Sequence, residues 1–233
     1  IRESIPVKTE IMGHTMYSAS GSSSGGVCLS GISLFMESYE DPLVSQGLIY
    51  NHRLTEAMKH TFAIRMNLGD PDYVNVSDAI DALQNKTYMN NLRKITSDDG
   101  VLSLGEYGGK FNIDTSRRYL PEDHGTTHLS VIDSMGNTVA ITSTVNTYFG
   151  SKVVSNSTGI VFNNQMDDFS NQNASNYFGL HPSSLNYPEG GKRPLSSMSP
   201  MILLSKENGK VRMTGGASGG PRIITATVQG LLN

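Results

Sequence analysis

The chain has 233 residues, with 18 Lys+Arg against 21 Asp+Glu for a formal net charge of −3, a single cysteine and no tryptophan. That balance offers no basic stripe for nucleic acid, one cysteine excludes both a disulfide framework and a cysteine-based zinc cluster, and no run of about 18 apolar residues is present to cross a membrane. The length suits one domain, or one and a half, with a substantial core.

The chain opens at Ile1 without an apolar leader and closes at Gln229-Gly230-Leu231-Leu232-Asn233 inside a helical pattern, so it is expected to be an internal piece of a larger protein. Residues 1–20 carry little pattern. Ser20-Gly21-Ser22-Ser23-Ser24-Gly25-Gly26 has the composition of a flexible linker. An apolar run with helical spacing follows from Val27 to about Glu40, through Leu29, Ile32, Phe35 and Met36. Residues 51–67 read as an amphipathic helix, with Leu54, Met58, Phe62 and Ile64 near one face and Gly69-Asp70-Pro71 ending it. A third helix is predicted over 78–95, with Ser77 or Asp78 as its N-cap. An irregular stretch rich in Gly, Asp and Pro then runs to about Gly125.

Past Gly125 the pattern changes to strands. His128–Asp133 and Thr138–Val145 are β-rich runs separated by Ser134-Met135-Gly136-Asn137, a hairpin signal. Short apolar runs recur at Ile160–Phe162, Met201–Leu204 and Val211–Thr214, and the last two flank the Asn208-Gly209 turn. After Gly219-Gly220, Pro221 suits the first position of a closing helix. Helices precede meandering strands, so the fold class is α+β with a mainly antiparallel sheet.

The first hairpin carries a geometric expectation. With its turn centred between Met135 and Gly136, Thr126 lies opposite Thr144 or Val145, and directly opposed side chains have Cβ atoms about 4.5–5.5 Å apart. Two hydroxyls can then hydrogen-bond. If the Gly125–Thr126 bond were cut, Thr126 would gain a free α-amine able to act as base for its own hydroxyl. Thr–Thr pairs also simply stabilise sheets.

Three loops could carry chemistry or merely turn the chain. Asn163-Asn164-Gln165-Met166-Asp167-Asp168-Phe169 can clamp an ammonium group with acceptors, or be an Asn/Asp turn closed by its own side chains. As a calcium loop it lacks the EF-hand glycine and the bidentate Glu. Lys192-Arg193-Pro194-Leu195-Ser196-Ser197-Met198 places two hydroxyls after a basic pair, which can hold a carboxylate or be ordinary loop. Gly215-Gly216-Ala217-Ser218-Gly219-Gly220-Pro221 joins a strand to a helix, where backbone N–H groups can face an anion. No Gly-Lys-Ser/Thr follows, which excludes a P-loop. The segment matches the G-x-S-x-G nucleophile elbow, yet no Asp, Glu or His follows it to complete a triad.

The order of these segments is more informative than any one of them. Gly125-Thr126-Thr127-His128-Leu129-Ser130-Val131, Thr142-Ser143-Thr144-Val145-Asn146-Thr147-Tyr148-Phe149-Gly150, Gly159–Phe169, Pro194-Leu195-Ser196-Ser197-Met198-Ser199-Pro200 and Gly219-Gly220 closely resemble the γ-glutamyltransferases (γ-glutamyl transpeptidase, glutathione hydrolase). Upstream, Ser23-Ser24-Gly25-Gly26, His52–Ala57 and Asn67-Leu68-Gly69-Asp70-Pro71 agree, so the similarity covers nearly the whole chain.

The resemblance implies an N-terminal-nucleophile hydrolase, an αββα sandwich truncated here at both ends. It implies that residues 1–125 are the C-terminal part of a large subunit and 126–233 the N-terminal part of a small one, together one interleaved domain cut between Gly125 and Thr126. Thr126, favoured over the adjacent Thr127, matches the nucleophile that attacks the γ-carbonyl of glutathione and forms a γ-glutamyl ester, later released to water or to an acceptor amino acid or dipeptide. Thr144 matches the second threonine that hydrogen-bonds the nucleophile. Asn146, Gln165 and Asp168 match the groups that bind the substrate α-amine, and Ser196 and Ser197 match the carboxylate binders. The backbone N–H groups of Gly219 and Gly220 match the oxyanion hole. The family's α-carboxylate arginine lies upstream of anything in this chain, and no residue here is assigned to it. No cofactor or metal is implied.

Two other readings stand beside this one. A related acylase for glutaryl amides of the cephalosporin type shares the fold, but such acyl groups have no α-amine for Asn146, Gln165 and Asp168 to bind. A non-catalytic paralogue would keep the fold as an interaction module. Four glycosylation sequons begin at Asn75, Asn85, Asn156 and Asn173, which fits an extracellular, cell-surface or vacuolar glycoprotein. Cys28 is compatible with either redox compartment.

Overall fold

The structure, a computed structural model, describes residues 2–39, 47–111, 126–171 and 182–232. The N-terminal stretch, which lacks an obvious pattern in sequence, holds a hairpin of β1 (Val7–Ile11) and β2 (His14–Ser18). Val7, Thr9 and Ile11 are buried while Lys8 and Glu10 face solvent, the alternation of a half-buried strand. Its two-residue turn places Met12 at φ 47° and Gly13 at φ 74°. That is the left-handed geometry of a tight hairpin, and a methionine in the first turn position hides it from sequence rules.

The linker-like segment 20–26 is ordered instead of flexible. Ser24 N–H donates to the Ser196 carbonyl at 2.8 Å, Ser196 N–H to the Ser22 carbonyl at 3.0 Å, and Ser23 Oγ to the Met198 carbonyl at 2.6 Å. From it springs α1 (Gly25–Glu37), earlier than the expected start at Val27. A Cβ on Gly25 would lie 2.1 Å from the Met198 carbonyl oxygen, so glycine is what lets the helix start abut that loop. Residues 25–36 are all buried. α1 is the central helix, with α2 (Leu48–Arg65), α3 (Ser77–Gln84), α4 (Lys86–Ile95) and α5 (Arg222–Leu232) packed around it. Leu29, Ile32, Phe35, Leu83, Met89 and Ile224 meet there.

The single helix expected over 78–95 is two. Asn85 breaks it with an extended backbone and caps α4, its Oδ1 accepting from Tyr88 N–H at 3.0 Å. The first of the two begins at Ser77 with Val76 as its cap. Pro221 stands one residue before α5, in the turn where Arg222 N–H donates to the Gly219 carbonyl. Away from the loops, Glu56 accepts from Tyr107 Oη at 2.6 Å, and His60 Nδ1 accepts from Gly108 N–H at 3.0 Å. Burial pushes the His60 imidazole down to about 4, so it is neutral.

β5 (Met201–Ser205) and β6 (Val211–Gly215) complete an antiparallel sheet of order β1-β2-β5-β6. Its Met16, Met201 and Leu203 face the helices. On its other face lies a second sheet, the hairpin of β3 (Thr126–Ile132) and β4 (Thr138–Thr144). Thr214 Oγ1 approaches Ser130 Oγ, and a Cβ on Gly216 would come within 2.4 Å of the His128 ring. The hairpin turns polar residues inward and leaves Leu129, Val131, Val139 and Ile141 at least half exposed. The order helices, sheet, sheet thus ends in an apolar outer face. Of the expected run at Ile160–Phe162, only a bridge between Val154 and Val161 forms. Gly125 and the Asn173 sequon lie outside the described residues.

Candidate active site

The β3–β4 register pairs Thr126 with Thr144, one of the two expected partners. Both side chains sit on the inner face at the open end of the hairpin. Thr126 Oγ1 donates to Thr144 Oγ1 at 3.1 Å, and Asn146 N–H donates to the same oxygen at 2.8 Å. Thr144 therefore fixes where the Thr126 hydroxyl stands.

Thr126 and Thr144 open onto a cleft that also takes in Asn146, Gln165, Asp168, Ser196, Ser197 and Gly220. Eight of the nine residues singled out in the sequence converge there, drawn from five separate segments. Gly219 sits just outside the lining, next to Gly220. These two have φ 122° and 50°, positive values that glycine adopts without steric cost. A larger hollow beside β1 has Lys8 as the sole titratable side chain among its lining residues.

One wall of the cleft presents acceptors. Chain reversal after β4 holds the buried Asn146 at φ 79°, a strained position for a non-glycine residue. Its Nδ2 donates to the Asn164 carbonyl at 3.1 Å, which leaves the amide oxygen for a ligand. Gln165 and Asp168 share one turn of 3₁₀ helix, Gln165–Asp168, and Gln165 Nε2 donates to Asp168 Oδ2. The buried Asp168 is held from behind by Asn186, whose Nδ2 donates to the Asp168 carbonyl at 2.8 Å. An amide oxygen from each side and a carboxylate suit an ammonium group.

The opposite wall presents donors. Ser196 Oγ accepts from Met198 N–H at 3.1 Å, and Ser197 Oγ accepts from Arg65 Nη2 at 2.8 Å. With those oxygens engaged as acceptors, both hydroxyls keep an O–H to donate. Arg65, the last residue of α2, also donates from Nε to Ser24 Oγ at 2.9 Å, and Ser24 Oγ donates on to the Ser196 carbonyl. The loop is anchored further by Arg193, which grips the buried Asp70 through its backbone N–H at 2.8 Å, Nε at 2.9 Å and Nη2 at 2.5 Å. Burial alone would raise the Asp70 carboxyl, but these hydrogen bonds overcome it and hold the group at about 2.

Sequence reasoning misses Arg65, Ser24, Asp70 and Asn186 as parts of this site. It reads Asp70 as a helix terminator and Ser24 as linker, and places both in segments that resemble the family, but gives neither a role in the site. The signal for Arg65 is a charged residue at the end of an amphipathic helix whose neighbours point into the core. Cys28, also buried, is pushed by burial up to about 12 and is no nucleophile. Among the described residues no cluster of three His, Cys, Asp or Glu could hold a metal, and no helix is long and apolar enough to cross a membrane.

Comparison with known proteins covers the same ground. A family model described as Gamma-glutamyltranspeptidase matches residues 1–233. Glutathione hydrolase 2 of Arabidopsis thaliana is 42% identical over 231 residues, spanning 98% of this chain and 38% of that protein. Putative inactive glutathione hydrolase 4 of the same plant is 45% identical over 170 residues, spanning 72% of this chain and 84% of that protein. The chain covers well under half the length of the first of these relatives. Among solved structures, a cephalosporin acylase from Bacillus halodurans superposes with a TM-score of 0.70 at 22% identity, covering 98% of this chain and 37% of that one. It shares the fold, a mixed helix-and-sheet sandwich.

Proposed function

The chain belongs to the gamma-glutamyltranspeptidase family, and on that premise we propose that it is part of an autoprocessing threonine-nucleophile enzyme that cleaves the γ-glutamyl bond of glutathione and related compounds. Residues 1–125 then belong to a large subunit and 126–233 to a small one. Cutting the Gly125–Thr126 bond frees the Thr126 α-amine, which takes the proton as Thr126 Oγ1 attacks the γ-carbonyl carbon. The resulting oxyanion is received by the N–H groups of Gly219 and Gly220, a type of contact worth about 3 kcal/mol per donor. Collapse breaks the amide bond, the leaving amine takes up the proton, and a γ-glutamyl ester remains on Thr126. Water or the amine of an acceptor amino acid or dipeptide then attacks that ester and regenerates the hydroxyl.

The observation that carries this reading is the polarity of the cleft. Acceptors from Asn146, Gln165 and Asp168 face donors from Ser196 and Ser197, with the Thr126 hydroxyl within the same hollow. A γ-glutamyl group ends in an α-ammonium and an α-carboxylate, which such a pair of walls complements. The acylase alternative shares the fold, but a glutaryl group would leave the acceptor wall without a cation. The non-catalytic alternative has a specific precedent in the relative described as putative and inactive. Expression of the full-length parent separates these readings. We expect self-cleavage and release of p-nitroaniline from γ-glutamyl-p-nitroanilide, both abolished by Thr126→Ala. An uncut, inactive wild type contradicts the enzyme reading, and activity on glutaryl amides alone favours the acylase.

The secretory pathway is the compartment this reading favours. Asn75, Asn85 and Asn156 are all exposed, as glycan acceptors must be.

A further inference from the structure

Among the described residues that line the cleft, Arg65 is the sole cation. It is 1% exposed, and it is compensated only in part. The C-terminal end of α2 favours a positive charge there, the Phe62 ring lies 5.8 Å from the guanidinium carbon, and Asp168 is near enough to act on it electrostatically. Against this, burial pulls the guanidinium below the usual arginine range. Two of its three nitrogens are used, on Ser24 and Ser197. The third, Nη1, is buried with no hydrogen-bond partner among the described residues. A buried cation with an idle donor is costly unless something else in the site answers it.

Ser197 shows what that something is. A guanidinium N–H can only donate, so its bond to Ser197 Oγ fixes that oxygen as an acceptor and turns the hydroxyl hydrogen away from Arg65. Ser197 lines the cleft, so the hydrogen is available to a ligand there. Polarisation by a cation strengthens such a donor.

We propose that Arg65 is a positioning residue for carboxylate recognition: it locks Ser197 as a donor toward the α-carboxylate of the γ-glutamyl ligand and supplies the buried positive charge behind it. The inference rests on the γ-glutamyl reading above and extends it to a residue that does not itself touch the ligand.

The test uses the full-length parent and two donors, γ-glutamyl-p-nitroanilide and its analogue with the α-carboxylate replaced by a carboxamide. A wild type inactive on the first overturns both the reading and the inference. An active wild type should prefer the carboxylate donor in kcat/KM by on the order of tenfold to a hundredfold, the range of a charge-assisted hydrogen bond. Arg65→Met should collapse that preference to within about twofold by raising KM for the carboxylate donor alone. Equal losses on both donors, with the preference intact, would mean that Arg65 serves only the fold. If the methionine variant does not self-cleave, Arg65→Gln decides, because it removes the charge while keeping a polar side chain of similar reach. A narrowed preference supports the inference and an unchanged one overturns it. Ser197→Ala gives a third reading, since a full preference surviving it removes the group through which Arg65 is said to act.

Discussion

On the acceptor side of the cleft, the hydrogen bonds described for Asn146, Gln165 and Asp168 span no more than 18 positions. On the donor side, Arg65 reaches Ser197 across 132 positions and Ser24 reaches the Ser196 carbonyl across 172. The first wall is a loop closed on itself. The second is a seam between the helical layer and the strand segment, and it is fastened again by Asp70 and Arg193 across 123 positions. Substitutions on the local wall should therefore act on binding, whereas those on the seam should act on stability and binding together.

The largest expected effect is on the seam. Asp70→Asn removes the charge that three Arg193 contacts converge on, and because Arg193 is partly exposed and also reaches Asp72, the loss is about 2 kcal/mol. We expect a thermal midpoint lower by several degrees and poorer self-cleavage. The same pair sets an acid limit. Because the folded carboxyl is held at about 2, below its ordinary value of 3.8, its stabilising share is complete above about pH 4 and is lost as pH falls toward 2. In the Asp70→Asn variant that part of the acid transition should disappear, and an unchanged acid midpoint would show that the seam does not depend on this pair.

On the local wall, Asp168→Ala should raise KM for γ-glutamyl donors by on the order of tenfold to a hundredfold while self-cleavage continues, the loss of one charge-assisted contact. Steady-state kinetics beside a denaturing gel checks this. Loss of cleavage would place Asp168 in the fold along with Asp70. The smallest effect lies away from both walls. Asn85→Ala should cost about 1 kcal/mol as a lost N-cap, seen in chemical denaturation, with KM unchanged.

The same contrast explains what could be read from the sequence. A two-strand count around Met135-Gly136 narrows the partner of Thr126 to Thr144 or Val145, of which the structure has Thr144, because hairpin register is a local property. The turn that holds Gln165 and Asp168 is local too. Arg65, Ser24 and Asp70 are not legible because each has a partner more than 120 positions away, and Ser24 itself lies in a segment with the composition of a linker. In the fold, α1 and α2 are legible from spacing alone, yet spacing does not reveal that α1 is buried on every side. The break at Asn85 depends on its extended backbone and side-chain cap, which helical spacing does not reveal. The β1–β2 hairpin was hidden by Met12, where a turn signal needs Asn or Gly. The hairpin of β3 and β4 has apolar residues outward, so alternation gives its strands but not which face is inner.

The central claim is that Thr126 carries the acyl group. Full-length parent quenched during turnover of γ-glutamyl-p-nitroanilide, digested and mapped by mass spectrometry, should yield a peptide whose N-terminus is Thr126 and which bears one γ-glutamyl ester on that residue. A γ-glutamyl group found on Ser218, or an active enzyme in which the Gly125–Thr126 bond is intact, would contradict the account.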